Sequence, residues 1–303
     1  LNIPTSTYIL PVKTHHSEQG VMLTQIQIDE YGEKGFTVFP NLLDATEVAG
    51  YLAEIDEISS GNTLTNHDST RMEMEPDQAP DGTQVRRLYE PCTNFETFKQ
   101  LAGSDELLDC VEQLLGADII FHYSKINMKP AKIGSVVEWH QDLTYYPLTN
   151  RDSLAVLFYL DDTDEENGCL QMIPGKHLGG TFEHSSEGVF QGRVVDGIDE
   201  SGAVPISGPA GTAVFMHAMT PHASVTNRSD RPRRTLILSY RAADAIPLLT
   251  GVTPIIEENA VLVRGKLAEK ARFTMTEFPV PIYRENARSL YQLQEQSRKQ
   301  AVS

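Results

Sequence analysis

Trp139-His140-Gln141-Asp142 is the stretch whose reading decides the fold. Side chains leave a β-strand alternately to its two faces, so a strand through this run carries His140 and Asp142 on one face. An imidazole and a carboxylate on one face are two ligands of a metal centre that needs a third from elsewhere. His222 is the best candidate, in Met216-His217-Ala218-Met219-Thr220-Pro221-His222-Ala223-Ser224. Two imidazoles and one carboxylate form the facial set that holds non-haem Fe(II) and leaves coordination positions open. His217 is the local rival, but it lacks the Ser/Asn/Arg series that follows His222.

Around this run the chain reads as short β-rich segments separated by turns. They are Ile119–Tyr123, Ile126–Lys129, Ser135–Gln141, Leu154–Leu160, Gly168–Ile173, Gly211–Met216 and Arg234–Tyr240. Turn signals such as Asn167-Gly168 and Pro174-Gly175 punctuate them, which argues for a sandwich or jelly roll. Upstream the pattern is helical. Thr24 to Lys34 predicts a short helix stopped by Gly35, and Phe36–Phe39 a strand. Asp44 with Glu47 predicts a capping box, opening a helix whose apolar stripe is Val48, Tyr51, Leu52, Ile55 and Ile58. Phe95–Leu101 and Glu106–Leu115 predict two more helices, and Arg86–Tyr89 a strand. Positions 61–83 and 180–209 are polar and irregular, and long loops of this kind are often lids. Arg284–Gln300 predicts a C-terminal helix.

The bulk properties narrow the function. The chain has 303 residues, 40% hydrophobic and 22% charged, with a formal net charge of −17. Such an acidic surface repels nucleic acid and anionic membranes, so neither is an expected partner. The three cysteines, Cys92, Cys110 and Cys169, are widely spaced with no CxxC pair; this fits a reducing cytoplasm and argues against disulfides. No segment is long and apolar enough to span a membrane. The expected organisation is an irregular arm at 1–21 and one domain over 22–303. Helical support occupies 22–117, the jelly-roll core 118–243 and a C-terminal extension 244–303.

The specific residues are Trp139-His140-Gln141-Asp142, Leu160-Asp161-Asp162, Glu165-Glu166-Asn167-Gly168-Cys169-Leu170 and Ile173-Pro174-Gly175-Lys176-His177. His222-Ala223-Ser224 follows, then Asn227, Ser229 and Arg231-Pro232-Arg233-Arg234. In order, composition and spacing this series, within a stretch from about Ile28 to Ala243, resembles the phytanoyl-CoA dioxygenase-like (PhyH) family of Fe(II)/2-oxoglutarate-dependent oxygenases. The resemblance implies a mainly β fold with flanking helices, a double-stranded β-helix (jelly roll, cupin-like). It implies Fe(2+), 2-oxoglutarate as cosubstrate and O2, with His140, Asp142 and His222 as metal ligands.

The distal carboxylate of 2-oxoglutarate needs a buried cation, and a guanidinium grips a carboxylate with two parallel hydrogen bonds. Arg233 matches the family's arginine position, with Arg234 as the fallback. Ser224 shares the strand face of His222 and offers a hydroxyl to the same carboxylate. Asn127 resembles a polar position that contacts the cosubstrate in related hydroxylases. Many relatives carry a Trp where Leu157 stands, so that pocket wall differs here. Halogenating relatives replace the carboxylate ligand with a small residue. Asp142 is intact, which favours hydroxylation or another C–H oxidation. Tyr146 and Arg87 are candidate substrate contacts.

The expected activity is oxidation of a small metabolite, such as an amino acid or natural-product intermediate. The chain lacks the long basic surface that a CoA 3′-phosphate would need. A non-oxygenase cupin-like metal protein, an isomerase or binding module, is the alternative. Arg233 discriminates between them, because only the oxygenase needs a cosubstrate anchor. A scaffold without catalysis is the weaker third reading.

Overall fold

The computed structural model describes residues 21–248, 259–283 and 290–301. The arm expected at 1–21 therefore lies almost wholly outside the described residues, as do positions 284–289 of the expected C-terminal helix.

The N-terminal elements follow from local rules. Helix α1 (Gln25–Lys34) starts at Thr24, whose side chain accepts from Gln27 N–H while the Gln27 side chain reaches back. It ends at Gly35 in the left-handed region, φ 84°. Strand β1 (Phe36–Phe39) follows, and α2 (Ala45–Ser59) opens on the reciprocal cap of Asp44 and Glu47, burying Val48, Tyr51 and Ile55. Caps of this kind each contribute about 1 kcal/mol. The helical layer is completed by α3 (Pro91–Asn94), α4 (Glu96–Ala102) and α5 (Asp105–Leu115).

Both expected loops carry strands. β2 (Met72–Met74) lies within 61–83 and pairs with β3 (Val85–Tyr89). Strand β4 (Ile119–Lys129) replaces the two separate runs expected over Ile119–Tyr123 and Ile126–Lys129. Its pairing with the later strand Arg233–Ala242 skips His122, since Tyr123 faces Ser239 and Phe121 faces Tyr240. This bulge switches the apolar phase from odd to even positions, which in sequence looks like a break.

Next come β5 (Val137–His140), β6 (Ser153–Tyr159) and β7 (Leu170–Met172). The 180–209 stretch contains β8 (Ser185–Ser186), β9 (Val189–Phe190) and β10 (Val204–Ile206). β11 (Ala213–His217), β12 (His222–Ser224), β13 (Arg233–Ala242) and β14 (Val261–Arg264) complete the set. These short pieces exist because a neighbouring strand accepts their hydrogen bonds, a tertiary cause that local composition does not reveal.

The large sheet runs β1-β11-β6-β13-β4-β3-β2, with β14 also on β4, and the small sheet runs β10-β7-β12-β5; every pairing is antiparallel. The two sheets form a double-stranded β-helix. One face of the large sheet packs Phe158, Phe215, Leu236 and Leu238 against Tyr51, Phe98 and Leu108 of the helices. Its other face packs Leu157, Tyr159 and Ile237 against Leu170 and Met172 of the small sheet. Leu157 is thus inter-sheet core.

The C-terminal extension is built into this body. β14 extends the large sheet, and the C-terminal helix (Leu290–Ala301) lies beside β5. Its Gln294 side chain accepts from Glu138 N–H at 3.0 Å and donates to Gly192 O at 2.6 Å. Arg298 pairs with Glu138 at 2.9 Å. The three cysteines are buried and free. No described helix is long and apolar enough to cross a membrane.

Candidate active site

Antiparallel pairing of β12 with β5 sets His222 opposite His140. Their rings lie 4.1 Å apart between centroids. Strand β5 ends at His140, one residue short of the expected Gln141, and Asp142 opens a single 3-10 turn, Asp142–Thr144. Gln141 is nevertheless extended, φ −118° and ψ 125°, so the strand alternation carries through it. Asp142 therefore returns to the His140 side: its Oδ1 is 3.6 Å from His140 Nε2 and 3.8 Å from His222 Nε2. One ligand atom from each of the three lies within 4.8 Å of the others, close enough to hold one metal ion.

The imidazoles are set for this. His140 Nδ1 meets Glu138 O at 2.8 Å and His222 Nδ1 meets Thr220 O at 3.0 Å. A carbonyl only accepts, so each Nδ1 carries the proton and each Nε2 turns a lone pair toward Asp142. Burial pushes both imidazoles toward the neutral form, and for His140 the neighbouring His222 and Lys125 add to it. Neutral imidazole is the form that binds metal.

Arg233, at the start of β13, is 4% exposed. Among the described residues its buried Nε has no hydrogen-bond partner. Burial lowers its pKa, with Tyr159 opposing. The neighbouring arginines are engaged elsewhere: Arg234 grips Asp161 through Nε at 2.9 Å and Nη2 at 2.7 Å, and Arg231 pairs with Asp164 at 2.7 Å. A buried guanidinium without a carboxylate is the complement of a dicarboxylate ligand. The orphaned Nε of Arg233 and the His/Asp/His donor set thus both fit the groups the resemblance implies. Ser224 is buried two residues beyond His222 on β12.

Register arranges the interior face of the large sheet in rows. Asn127 stands between Arg87 on β3 and Thr235 on β13, and Thr235 faces Tyr159. One row along, Lys125 stands between Tyr89 and Ile237. In the other direction Lys129 faces Arg233. Arg87 is 2% exposed and donates from Nε to Asn127 Oδ1 at 3.0 Å. Its guanidinium lies 4.7 Å from the Tyr291 ring centroid.

Sequence reasoning missed several of these neighbours. Lys125 went unnoticed, although Tyr123, Lys125, Asn127 and Lys129 alternate with Ser124, Ile126 and Met128, the signal of a polar strand face. Lys129 donates its buried amine to Ser135 O at 2.7 Å and Val225 O at 2.5 Å, stitching β4 to the small-sheet side. Tyr145, next to the expected Tyr146, sets its ring edge-on to His140 at 5.7 Å. Tyr146 itself packs edge-on to His122 at 5.0 Å. Gln141 is fully buried. Its side chain accepts from Phe182 N–H and donates to Met219 O, both at 2.8 Å. The Gln141 N–H donates to His184 Nε2 at 3.1 Å. His217 lies apart from the three, its Nδ1 accepting from Met219 N–H at 3.0 Å.

The Phytanoyl-CoA dioxygenase (PhyH) family profile matches residues 31–235. A protein of Stutzerimonas stutzeri named as a probable alpha-ketoglutarate-dependent hypophosphite dioxygenase is 32% identical over 260 residues, covering 84% of this chain and 90% of the relative. A methylphosphonate hydroxylase of Gimesia maris is 28% identical, over 73% of this chain and 81% of its own. In fold, the chain is similar to EctD from S. alaskensis, solved with 2-oxoglutarate and 5-hydroxyectoine. That match has a TM-score of 0.61 at 22% identity, over 77% of this chain and 80% of that one. The chain belongs to the phytanoyl-CoA dioxygenase (PhyH) family and is a 2-oxoglutarate-dependent non-haem iron dioxygenase.

Proposed function

We propose that His140, Asp142 and His222 hold the ferrous ion and that Arg233, with Ser224 and Asn127, anchors 2-oxoglutarate, for oxidation of a C–H bond in a small molecule. The observation that carries the assignment is the convergence of three ligand atoms within 4.8 Å, with both Nδ1 atoms occupied by backbone carbonyls. When bound, iron and cosubstrate supply the oxidising power, with 2-oxoglutarate leaving as succinate and CO2. The chain's own residues do the rest. Glu138 O and Thr220 O fix the imidazole tautomers, Arg233 orients a carboxylate, and the apolar inter-sheet core excludes water. Relatives named for hypophosphite and methylphosphonate support a small substrate rather than a CoA thioester. Arg233, buried and unpartnered at Nε, favours this reading over a metal-binding module without cosubstrate.

The test is titration of the iron-loaded protein with 2-oxoglutarate, together with succinate release under air. Saturable binding that Arg233→Ala weakens, and succinate release that needs iron, support the reading. Unchanged 2-oxoglutarate affinity in Arg233→Ala removes the anchor and returns the chain to a metal-binding role.

A further inference from the structure

We infer that Lys125 and Arg87 form the substrate subsite and select a small oxyanion of the organophosphonate class; this rests on the iron and 2-oxoglutarate assignment above. The two side chains share the interior face of the large sheet, on adjacent strands and adjacent rows, since Arg87 faces Asn127 while Lys125 faces Tyr89. Successive rows on one strand face lie about 7 Å apart, a spacing two cations can bridge around one anion. Lys125 Nζ contacts the Tyr123 ring at 5.6 Å and has no ion pair among the described residues. The Arg87 Nη2 is buried with no described hydrogen-bond partner. Lys125 is coupled electrostatically to Asp142 and to Arg87. Burial brings the Lys125 ammonium down to about 8, while the Asp142 carboxylate pulls against it and Arg87 adds to the fall.

Charge balance then identifies the ligand. A ferrous ion, the Asp142 carboxylate, the 2-oxoglutarate dianion and Arg233 sum to neutrality. Two of the other nearby acids are paired or neutral. Glu73 pairs with Arg86 at 3.1 Å. Burial holds the Glu90 carboxyl up at about 8, so it is largely protonated at neutral pH. Glu75 accepts from Ser135 Oγ at 2.7 Å, a neutral partner, and offsets at most one cation. Lys125 and Arg87 therefore leave positive charge without a partner on the interior face. Charges held away from water require partners, so the missing component is an anion. A phosphonate carries between one and two charges near neutral pH over three oxygens, a carboxylate one over two, and a neutral alcohol or ester none. The overall conversion is balanced by the reactants of the enzyme class. One oxygen atom of O2 enters the substrate C–H bond to give the alcohol. The other enters succinate as 2-oxoglutarate loses CO2.

The experiment is anaerobic calorimetry on iron- and 2-oxoglutarate-loaded protein with three probes: methylphosphonate, acetate and dimethyl methylphosphonate. Succinate release is then measured under air. We expect methylphosphonate to bind at least about tenfold more tightly than acetate and the neutral ester not to bind. We expect Lys125→Met to weaken methylphosphonate by about tenfold or more and Lys125→Arg to recover most of that loss. Equal binding of the ester, tighter binding of acetate, or methylphosphonate affinity unchanged in Lys125→Met overturns the inference. So does a wild-type protein that binds 2-oxoglutarate but none of the three probes, and in that case the iron and cosubstrate assignment stands. Absence of 2-oxoglutarate binding removes both.

Discussion

His140 and His222 face each other across a strand pair, and each donates its Nδ1 proton to a carbonyl two residues earlier in its own chain, Glu138 O and Thr220 O. The backbone therefore selects the tautomer, and both Nε2 atoms are presented as lone pairs before any ion arrives. Only Asp142 contributes through a turn. Asp142→Ala is expected to lower Fe(II) or Co(II) affinity by at least about 100-fold, because it removes the anionic ligand from a site whose outer neighbours alone are worth 10- to 100-fold. Equilibrium dialysis with metal analysis measures this; a loss under about fivefold would move the metal centre elsewhere.

Arg233 is the second test. Removing one partner of a buried, hydrogen-bonded charge pair costs about 2–5 kcal/mol. Arg233→Ala is expected to raise the KM for 2-oxoglutarate by roughly 30-fold or more. Arg233→Lys should recover only part of this, since a point charge lacks the guanidinium fork. Full recovery by lysine would show that the carboxylate is held by charge alone.

Gln141 ties three segments together, with its side chain bonded to Phe182 N–H and Met219 O and its own N–H to His184 Nε2. Gln141→Ala leaves a buried donor and a buried acceptor unmatched, at about 1–3 kcal/mol each. The expected result is a melting temperature lower by several degrees and a weaker metal affinity, because Asp142 follows directly. A fall in stability with metal affinity intact would make Gln141 a fold residue only.

Burial brings His217 down to about 3, with His177 and Arg151 adding to the fall. An unfolded histidine titrates near pH 6.5, so between about 6.5 and 3 the unfolded chain holds a proton that the folded chain refuses. Stability from this residue is complete above about pH 6.5 and is lost as the pH falls, with a slope of up to about 1.4 kcal/mol per pH unit. His217→Asn keeps an acceptor for Met219 N–H and removes the titration. Denaturant unfolding of the metal-free protein at pH 7 and pH 5 should show a smaller acid loss in the variant than in the wild type.

The proposed ligands His140 and Asp142 were legible as a pair because their spacing follows strand alternation, and His222 because of the Ser/Asn/Arg series behind it. The sequence could not show that β5 stops at His140, since Gln141 keeps the extended geometry on either account. The interior cations were harder to read. Arg87 and its neighbour Arg86 look alike in sequence, but Arg86 turns to Glu73 and only register with Asn127 puts Arg87 inside. Lys125 fell in the polar gap between two apolar runs, and only pairing with Arg233–Ala242 shows that both runs are one strand. β2, β8, β9 and β10 owe their existence to neighbours far along the chain, and no local propensity announces them.

The anchoring role proposed for Arg233 also links cosubstrate to heat resistance. A folded chain that buries an unanswered guanidinium is stabilised by whatever answers it, through mass action alone. At a hundred times its dissociation constant, 2-oxoglutarate would add about 2.7 kcal/mol to the unfolding free energy. Protein stripped of its small molecules during purification should thus denature first, and thermal denaturation can serve as an occupancy gauge that needs neither oxygen nor turnover.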